Sequence, residues 1–248
     1  MARQTGLIKI KGTLDNVTFY KSKDGHLAKM KTSIDGARIA NDPTFARTRE
    51  NGSEFGSSAT SGKVLRDTLR NITNNSADNR VVARVTQIMT QMKNMDLTSA
   101  RGERNVGVGL QTPEAKALLK GFEFNVNALM GSVLYKPSSL DLLSGVITIA
   151  DLLPANDIQW PKGSTHATLS GGFAVIDFET GIGELQLTDV ANFAIDGPLL
   201  TVELTPATPA GTGVNIYLLK VEFFQLVNGV QYSMKNGSYN ALKIIEVA

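Results

Sequence analysis

The two histidines of the chain, His26 and His166, are the side chains best suited to acid–base chemistry near neutral pH. They form no HExxH motif or other histidine pair that would hold zinc. The chain also contains no cysteine, which removes thiolate metal ligands and a cysteine nucleophile. We therefore predict that both histidines are turn residues and that the protein is not an enzyme.

Carboxylates form a second group with possible chemistry in the C-terminal half. Its members are Asp177, Glu179, Glu184 and Asp189. Carboxylate oxygens suit Ca²⁺, but the spacing matches no EF-hand loop, and solvated strand edges explain these residues better. The glycine pairs at 107–109 and 181–183 complete neither a GxGxxG nor a GxxxxGK[ST] phosphate-binding motif. The sequence thus predicts no metal ion and no cofactor.

Trp160 is the only tryptophan and lies between predicted β segments. An exposed tryptophan on a loop can stack on a sugar ring or anchor an interface, because its ring is large and apolar with one polar edge. A half-buried residue at the edge of a sandwich is the structural alternative, and we expect it more often. Trp160 is therefore a candidate ligand contact.

Six lysines near the N-terminus occur as alternating pairs in three strand-like segments. The pairs are Lys9 and Lys11, Lys21 and Lys23, and Lys29 and Lys31. Because side chains alternate faces along a strand, we expect the lysines on one side of a sheet and apolar residues on the other. The expected apolar set is Ile8, Ile10, Ala28 and Met30.

Such a lysine face suits a polyanion such as nucleic acid or lipopolysaccharide, an acidic neighbouring subunit, or the solubility of an exposed sheet. Assembly or solubility is favoured over nucleic acid, because nucleic-acid contacts usually add arginine or aromatic side chains.

The two parts of the chain carry opposite net charge. Residues 1–105 hold 18 Lys and Arg against 10 Asp and Glu (+8), and residues 106–248 hold 7 against 13 (−6), which together give +2. This asymmetry favours head-to-tail contacts between copies of the chain, because opposite charge orients partners and speeds their encounter.

Composition predicts a folded protein with a substantial core, since 42% of the 248 residues are hydrophobic and 19% are charged. Residues 6–32 predict a small antiparallel β-meander with Asp24-Gly25 as a hairpin turn. Asp42 and Pro43 mark a helix start. Apolar residues at helical spacing predict two further helices, at about 61–72 and 78–95.

Two glycines four positions apart, Gly52 and Gly56, lie in a serine-rich segment that follows the helix start at Asp42-Pro43. Small residues lower helix propensity, so their presence favours close packing of another backbone or subunit. They are interface candidates together with the six lysines.

Beyond Phe122 the sequence consists of short apolar segments separated by glycine, proline and Asn-Gly turns. Strands are predicted at 122–127, 146–149, 167–169, 172–177, 184–187, 199–204, 213–225, 230–232 and 242–247. Asn228-Gly229 is the clearest hairpin turn. Short strands at this spacing predict an antiparallel β-sandwich of Greek-key or jelly-roll type.

The predicted fold class is therefore α+β, with three parts. A basic meander and two to three helices occupy 1–105, a linker with a short helix starting at Thr112-Pro113 occupies 106–121, and the β-sandwich domain occupies 122–248.

The N-terminal sequence lacks an apolar run of signal-peptide length, because Lys9 and Lys11 interrupt it. No uninterrupted apolar run reaches the length of about 18 residues that indicates a transmembrane helix. We therefore expect a protein that is cytoplasmic as synthesised, with release by lysis or a non-classical route as the way out of the cell.

Several short motifs occur together in the first 70 residues. They are MARQ at 1–4, GLIK at 6–9, GTL at 12–14, TFYKS at 18–22, DGHL at 24–27, DPTF at 42–45, RTREN at 47–51 and EFG at 54–56. In these motifs the N-terminal third resembles a family of small Bacteroidota-type bacterial proteins with no assigned activity, and the β region is similar in general layout. His26 stands where a tyrosine is commoner, which weakens a catalytic role for it.

The sequence as a whole predicts a non-enzymatic structural protein that self-assembles, or packs with other subunits into a phage-like particle or filament. A carbohydrate- or surface-binding β-sandwich that uses Trp160 is the first alternative. A polyanion- or nucleic-acid-binding protein that uses the lysine strands is the second.

Overall fold

The computed structural model describes residues 2–31, 34, 36–234 and 238–248 and divides the chain into two compact units, Met1–Glu50 and Asn51–Ala248. Both units combine helices with antiparallel sheets, which confirms the predicted α+β class. None of the helices in the described ranges is long and apolar enough to cross a membrane.

The first unit is built on a four-stranded antiparallel sheet in the order β1-β4-β3-β2. Its strands are β1 (Ala2–Arg3), β2 (Gly12–Leu14), β3 (Val17–Ser22) and β4 (Gly25–Met30). A short helix α1 (Gly36–Asn41) and a 3₁₀ turn (Pro43–Phe45) follow. Asp42 caps this turn as predicted, because its carboxylate accepts a hydrogen bond from the Thr44 amide at 3.0 Å.

The predicted first strand at Leu7–Lys11 is wrong, since β1 and β2 flank these residues and leave them irregular. Leu7 and Ile8 are 104% and 85% exposed, so no apolar contact holds this segment in a strand. The predicted hairpin does form, but its turn is one residue earlier. Ser22 pairs with Gly25, whose φ of 106° suits a glycine.

The second unit begins with helices that precede its sheets. They are α2 (Ala46–Thr68, which starts before the unit boundary), α3 (Arg70–Thr73), α4 (Val81–Lys93), α5 (Val106–Gly109) and α6 (Pro113–Leu119). Two further short helices, α7 (Met130–Val133) and α8 (Pro154–Asp157), lie farther along the chain, in the C-terminal β region. The predicted start of α6 is confirmed, because the Thr112 hydroxyl accepts a hydrogen bond from the Ala115 amide at 3.3 Å.

Two antiparallel sheets form the C-terminal β region. The larger sheet contains β7 (His166–Asp177), β8 (Ile182–Leu187), β9 (Ala191–Ala194), β11 (Val214–Val227), β12 (Val230–Ser233) and β13 (Ala241–Val247). The smaller sheet contains β5 (Ser139–Leu140), β6 (Ile147–Leu152) and β10 (Leu200–Leu204). Strands β7 and β11 pair at the centre of the larger sheet, from Val214 opposite Ile176 to Phe224 opposite His166.

Alternate residues of these central strands enter two separate cores. Leu218 of β11 and Ala174 of β7 pack with Leu65 of α2 and Met89 of α4, so the helices cover one face. This arrangement explains why apolar residues occur on both faces of the two strands, as expected for strands that are covered on both sides.

The opposite face of the larger sheet packs on the smaller sheet. Leu219 of β11 and Leu169 of β7 share a core with Ile149 of β6 and Leu204 of β10. Two antiparallel sheets therefore meet face to face, as the sequence predicted for this region.

The division of the chain differs from the predicted boundary at 106–121. Val106, Leu110, Ala115 and Leu119 are fully or almost fully buried in the core between the helices and the larger sheet. The segment is thus an integral part of the second unit, and α2 to α4 share a core with the strands that follow.

Candidate functional site

The six lysines of the N-terminal unit are all exposed, but they do not share one face of the sheet. Lys9 and Lys11 lie in the irregular segment, Lys23 lies in the β3–β4 turn, and Lys31 follows β4. Lys21 pairs with His26, whereas Lys29 pairs with Thr18.

Residues that pair across strands lie on the same face, and faces alternate along each strand, so Lys21 and Lys29 project from opposite faces. The predicted one-sided lysine face is therefore wrong.

The same register places apolar residues together on the Lys21 side of the sheet. We call this set the apolar sheet face; it consists of Leu14, Val17, Phe19, Ala28 and Met30. Leu14 and Met30 are 67% and 69% exposed, and the other three are half-buried. The predicted apolar residues Ala28 and Met30 belong to this face, while Ile8 and Ile10 lie outside the strands.

The glycines predicted for close packing lie on exposed helix surface. Gly52 and Gly56 are exposed positions of α2, and a Cβ added at either would meet no atom within 4 Å. Close packing occurs instead at Gly62, where a Cβ would lie 3.2 Å from Val85 Cγ1 of α4. The interface role of Gly52 and Gly56 stays a prediction.

The carboxylates considered for calcium serve local hydrogen bonds. The Asp177 carboxylate accepts from the amides of Glu179 at 2.8 Å and Thr180 at 3.3 Å, and hydrogen bonds from Thr180 and Glu179 lower the pKa of Asp177. Glu184 accepts from the Ala210 amide at 3.1 Å. Among the described residues, no group of three His, Cys, Asp or Glu side chains is placed to hold a metal ion.

The two histidines lie in strands. His26 is half-buried in β4, and His166 begins β7 with its Nδ1 3.0 Å from the Thr165 hydroxyl. The expectation that both are turn residues is wrong, although each stands at the end of a strand next to a loop.

Trp160 lies at the edge of a cavity of about 540 Å³ in the second unit, which we call the Trp160 cavity. Side chains from separate chain segments line it, chiefly Asn127, Ser132, Gln159, Trp160, Phe223 and Tyr239. Trp160 is half-buried, as the structural alternative predicted, and its side chain also lines this cavity.

Two contacts hold the indole in place. Its Nε1 donates a hydrogen bond to the Pro154 carbonyl at 2.7 Å, and its ring meets Phe223 of β11 edge to face, with centroids 5.7 Å apart. An indole N–H that is already satisfied leaves the ring as an apolar surface for a ligand.

No pattern in the sequence predicts the buried ionic groups of the helical region. Glu54 of α2 forms an ion pair with Lys93 of α4, and its second carboxylate oxygen accepts from the Gly102 amide at 2.9 Å. The hydrogen bond from Lys93 is the main cause of the lowered pKa of Glu54. These groups connect helices and a loop, which is a structural role.

Comparison of the chain with protein-family models, with curated proteins and with solved structures finds no match. The resemblance of the N-terminal motifs to a bacterial family therefore stays a prediction.

Proposed function

We propose that the protein is a non-enzymatic structural subunit that assembles head to tail with copies of itself, the N-terminal unit of one copy binding an acidic surface of the next. The observation that carries this proposal is the exposed apolar sheet face. None of the described residues in the range 2–50 is buried, so the first unit has a sheet without a core of its own.

A sheet of this size gains stability when its apolar face is covered. Burial of one Val, Leu, Phe or Met side chain contributes about 1.5–3 kcal/mol, so covering the apolar sheet face would contribute several kcal/mol. That gain is a large fraction of the roughly 5–15 kcal/mol by which whole domains are stable. A second molecule that covers this face would therefore stabilise the unit and the assembly together.

Charge supports another copy of the chain as that molecule. Residues 1–50 contain 10 Lys and Arg and 5 Asp and Glu, a net charge of +5. Residues 163–219, which we call the acidic segment, contain 6 Asp and Glu and no Lys or Arg, a net charge of −6. The opposite charges of the two halves of the chain are thus concentrated in a short basic unit and a short acidic stretch.

The acidic segment also exposes apolar side chains that match those of the apolar sheet face. Ile182 and Leu187 of β8 are 70% and 47% exposed, and Val190 and Leu199 beyond it are 63% and 60% exposed. Four carboxylates of the segment, Glu179, Asp189, Asp196 and Glu203, are exposed and form no ion pair with a described residue. The acidic segment therefore combines exposed apolar area with charge opposite to that of the N-terminal unit. Its carboxylates are distributed along β7, since Glu179 follows the C-terminal end of β7 and Asp196 follows β9, which pairs with the N-terminal end.

Strand edges offer the backbone part of such a contact. Within the described residues β8 pairs only with β7, and β2 pairs only with β3, so each has one free edge. Free edges are sites where a strand of another chain can add. Because the two surfaces differ, their contact is heterologous and either closes into a ring or continues as a filament.

Three acidic groups with lowered pKa values favour a structural role over catalysis, whereas burial raises the pKa of Glu123. Asp96, Glu54 and Asp177 have lowered pKa values because amides or side chains of the same fold bind their carboxylates. Hydrogen bonds of this kind keep a carboxylate ionised and fixed, whereas a general acid or base needs a pKa near the working pH.

Light scattering of the purified chain over a range of salt and protein concentrations tests the proposal. Because the Debye length falls from about 30 Å at 0.01 M salt to about 3 Å at 1 M, association driven by opposite charge should be fastest at low salt. We expect particles larger than a monomer that form more slowly as NaCl increases. A monomer at every salt and protein concentration would contradict the proposal.

Substitution of residues in the apolar sheet face provides a second test of the proposal, with association again measured by light scattering. Leu14→Ser with Met30→Ser removes two exposed apolar side chains and should weaken association by about tenfold or more, equivalent to about 1.4 kcal/mol. The matched control is Leu143→Ser, which changes a side chain that is 90% exposed outside both surfaces and should leave association unchanged.

A further inference from the structure

The Trp160 cavity is built on rigid backbone. The segment 157–159 is hydrogen-bonded to 133–135 on both sides of the Leu134–Ile158 bridge, through Tyr135 N to Asp157 O and Gln159 N to Val133 O, each 2.8 Å. Phe223, which contacts the Trp160 ring, is fully buried in β11. At about 540 Å³ the cavity falls within the roughly 300–1,000 Å³ of typical small-molecule sites.

Aromatic side chains supply the apolar part of this cavity. Trp160 is half-buried with its Nε1 already bonded, and Tyr239 is 37% exposed. Flat rings with an accessible face pack well against the C–H face of a sugar ring, and they lose little conformational freedom on binding.

Neutral polar side chains supply the hydrogen-bonding part of the Trp160 cavity. The Gln159 side-chain oxygen accepts from the Tyr135 hydroxyl at 2.7 Å, which orients the amide and leaves its nitrogen as a donor. The side chain of Asn127 forms no hydrogen bond with a described residue, so it offers both a donor and an acceptor. Amides that can donate and accept match the hydroxyl groups of a polyhydroxylated ligand.

We propose that the Trp160 cavity is a saccharide-binding site, with the Trp160 ring as the stacking surface and Gln159 and Asn127 as hydrogen-bonding groups. An apolar peptide or lipid would leave both amides without partners on binding, which costs free energy. Exposed Lys162 at the rim carries no ion pair with a described residue and adds a contact for the carboxylate of an acidic sugar. None of the described residues that line the cavity belongs to the apolar sheet face or to the acidic segment.

Intrinsic fluorescence tests this proposal directly, because Trp160 is the only tryptophan in the chain. The full chain is titrated with neutral, N-acetylated and uronic-acid-containing oligosaccharides, and binding is checked on a glycan array. We expect a saturable change in fluorescence with at least one saccharide class and retention on the corresponding glycans. No fluorescence change and no array binding, or a change with apolar dyes alone, would overturn the proposal.

Variants locate the binding in the cavity and separate it from a folding defect. Trp160→Ala and Gln159→Ala should each weaken array binding about tenfold or more, and Gln159 is exposed, so its replacement leaves the core intact. Lys162→Ala should weaken binding of uronic-acid saccharides more than of neutral ones. The control Phe55→Ala removes an aromatic side chain that is 58% exposed elsewhere and should bind as the original chain does. Unchanged binding in both Trp160→Ala and Gln159→Ala would overturn the proposal.

Discussion

Asp96 shows how a single carboxylate organises the loop between α4 and α5. It is 1% exposed and accepts hydrogen bonds from the amides of Thr98, Ser99 and Asn105 at 3.1, 2.9 and 3.2 Å. Burial by itself would raise the pKa of Asp96, but a hydrogen bond from the Ser99 side chain, together with those from the three amides, outweighs burial and holds the pKa well below its usual range. The ionised carboxylate therefore stabilises the fold at neutral pH.

Replacement of Asp96 by Asn should lower the free energy of unfolding by about 1.5–3 kcal/mol at pH 7, because hydrogen bonds to an ionised group are lost. The folded pKa lies below the unfolded value, so the contribution of the carboxylate is present above the ordinary Asp pKa and is lost as the pH falls. The difference between the two proteins should hence shrink below about pH 4. Urea unfolding at several pH values measures this.

The control for this experiment is Asp151→Asn, since Asp151 is exposed and its φ of 50° is one that Asn also adopts. It should change the free energy of unfolding little at any pH. An Asp96→Asn variant that is as stable as the original chain at pH 7 would contradict the structural role of Asp96.

Local patterns do not predict groups of this kind. Glu54 and Lys93 pair across 39 positions of sequence, and neither has a neighbour that marks it as buried. Trp160 is recognisable in the sequence as the only tryptophan. Asn127, Tyr239 and Phe223 line the same cavity only because separate segments of the chain fold together. Trp160 could thus be singled out from the sequence, whereas the cavity beside it could not.

At the scale of elements, helix α2 presents two surfaces of small residues with different environments. Gly52 and Gly56 face open space, whereas Gly62 packs against α4. A glycine in a helix interior is about 0.8–1.0 kcal/mol less favourable than alanine, so the N-terminal half of α2 has low intrinsic stability.

Gly52→Ala and Gly56→Ala should each raise the free energy of unfolding by up to about 1 kcal/mol, because the added methyl group meets no neighbour. The contrasting variant is Gly109→Ala, whose Cβ would come within 2.2 Å of the Met92 carbonyl oxygen and should destabilise the fold by about 1–3 kcal/mol. Thermal and urea unfolding measure both. A loss of stability in the first two variants would show that α2 packs closely there, and decreased association would support the predicted interface.

The strands of the second unit were largely predictable because their patterns are strong. Asn228 and Gly229 have φ values of 50° and 79°, as a type I′ turn requires, and Val227 pairs with Val230, which confirms the hairpin predicted there. Apolar alternation located β8, β10, β12 and β13 to within a few residues, and the predicted strands at 167–169 and 172–177 are one strand, β7.

The errors among the strands have physical causes. Leu7–Lys11 alternates like a strand but has no partner strand to pair with, so tertiary context overrides propensity. The predicted strand at 122–127 forms one isolated bridge, between Glu123 and Lys243. The faces of the lysines depend on register across strands, which alternation within one strand does not fix.

At the scale of the whole molecule, positive and negative charges are concentrated in different regions of the sequence. The basic unit 1–50 and the acidic segment 163–219 carry +5 and −6, although the entire chain carries +2. Charges of this kind act mainly on the orientation and the rate of association, and apolar contacts supply most of the affinity. Assembly through these surfaces therefore predicts that removing the opposite charge from either surface weakens the contact, and that a partner that keeps the original surface restores it.

Two charge-reversed variants test this prediction. The first carries Lys21→Glu, Lys23→Glu and Lys31→Glu, and its net charge changes from +2 to −4 because three reversals remove six charges. The second carries Glu179→Lys, Asp189→Lys and Asp196→Lys, which changes the net charge to +8. Residues 1–50 of the first variant carry −1 (+5 minus 6) against the acidic segment at −6, and the acidic segment of the second carries 0 (−6 plus 6) against +5. Neither variant keeps opposite charge on its two surfaces, so we expect association to be at least about tenfold weaker than in the original chain.

An equimolar mixture of the two variants should recover association between unlike molecules, because the unchanged N-terminal unit of the second (+5) can bind the unchanged acidic segment of the first (−6). Light scattering of each variant and of the mixture measures this. The control carries Arg80→Glu, Lys136→Glu and Lys162→Glu, which gives the same net charge of −4 with both surfaces unchanged, and it should associate nearly as well as the original chain. If the mixture stays monomeric while the control associates, the two surfaces do not bind each other, and the apolar sheet face must meet a different partner.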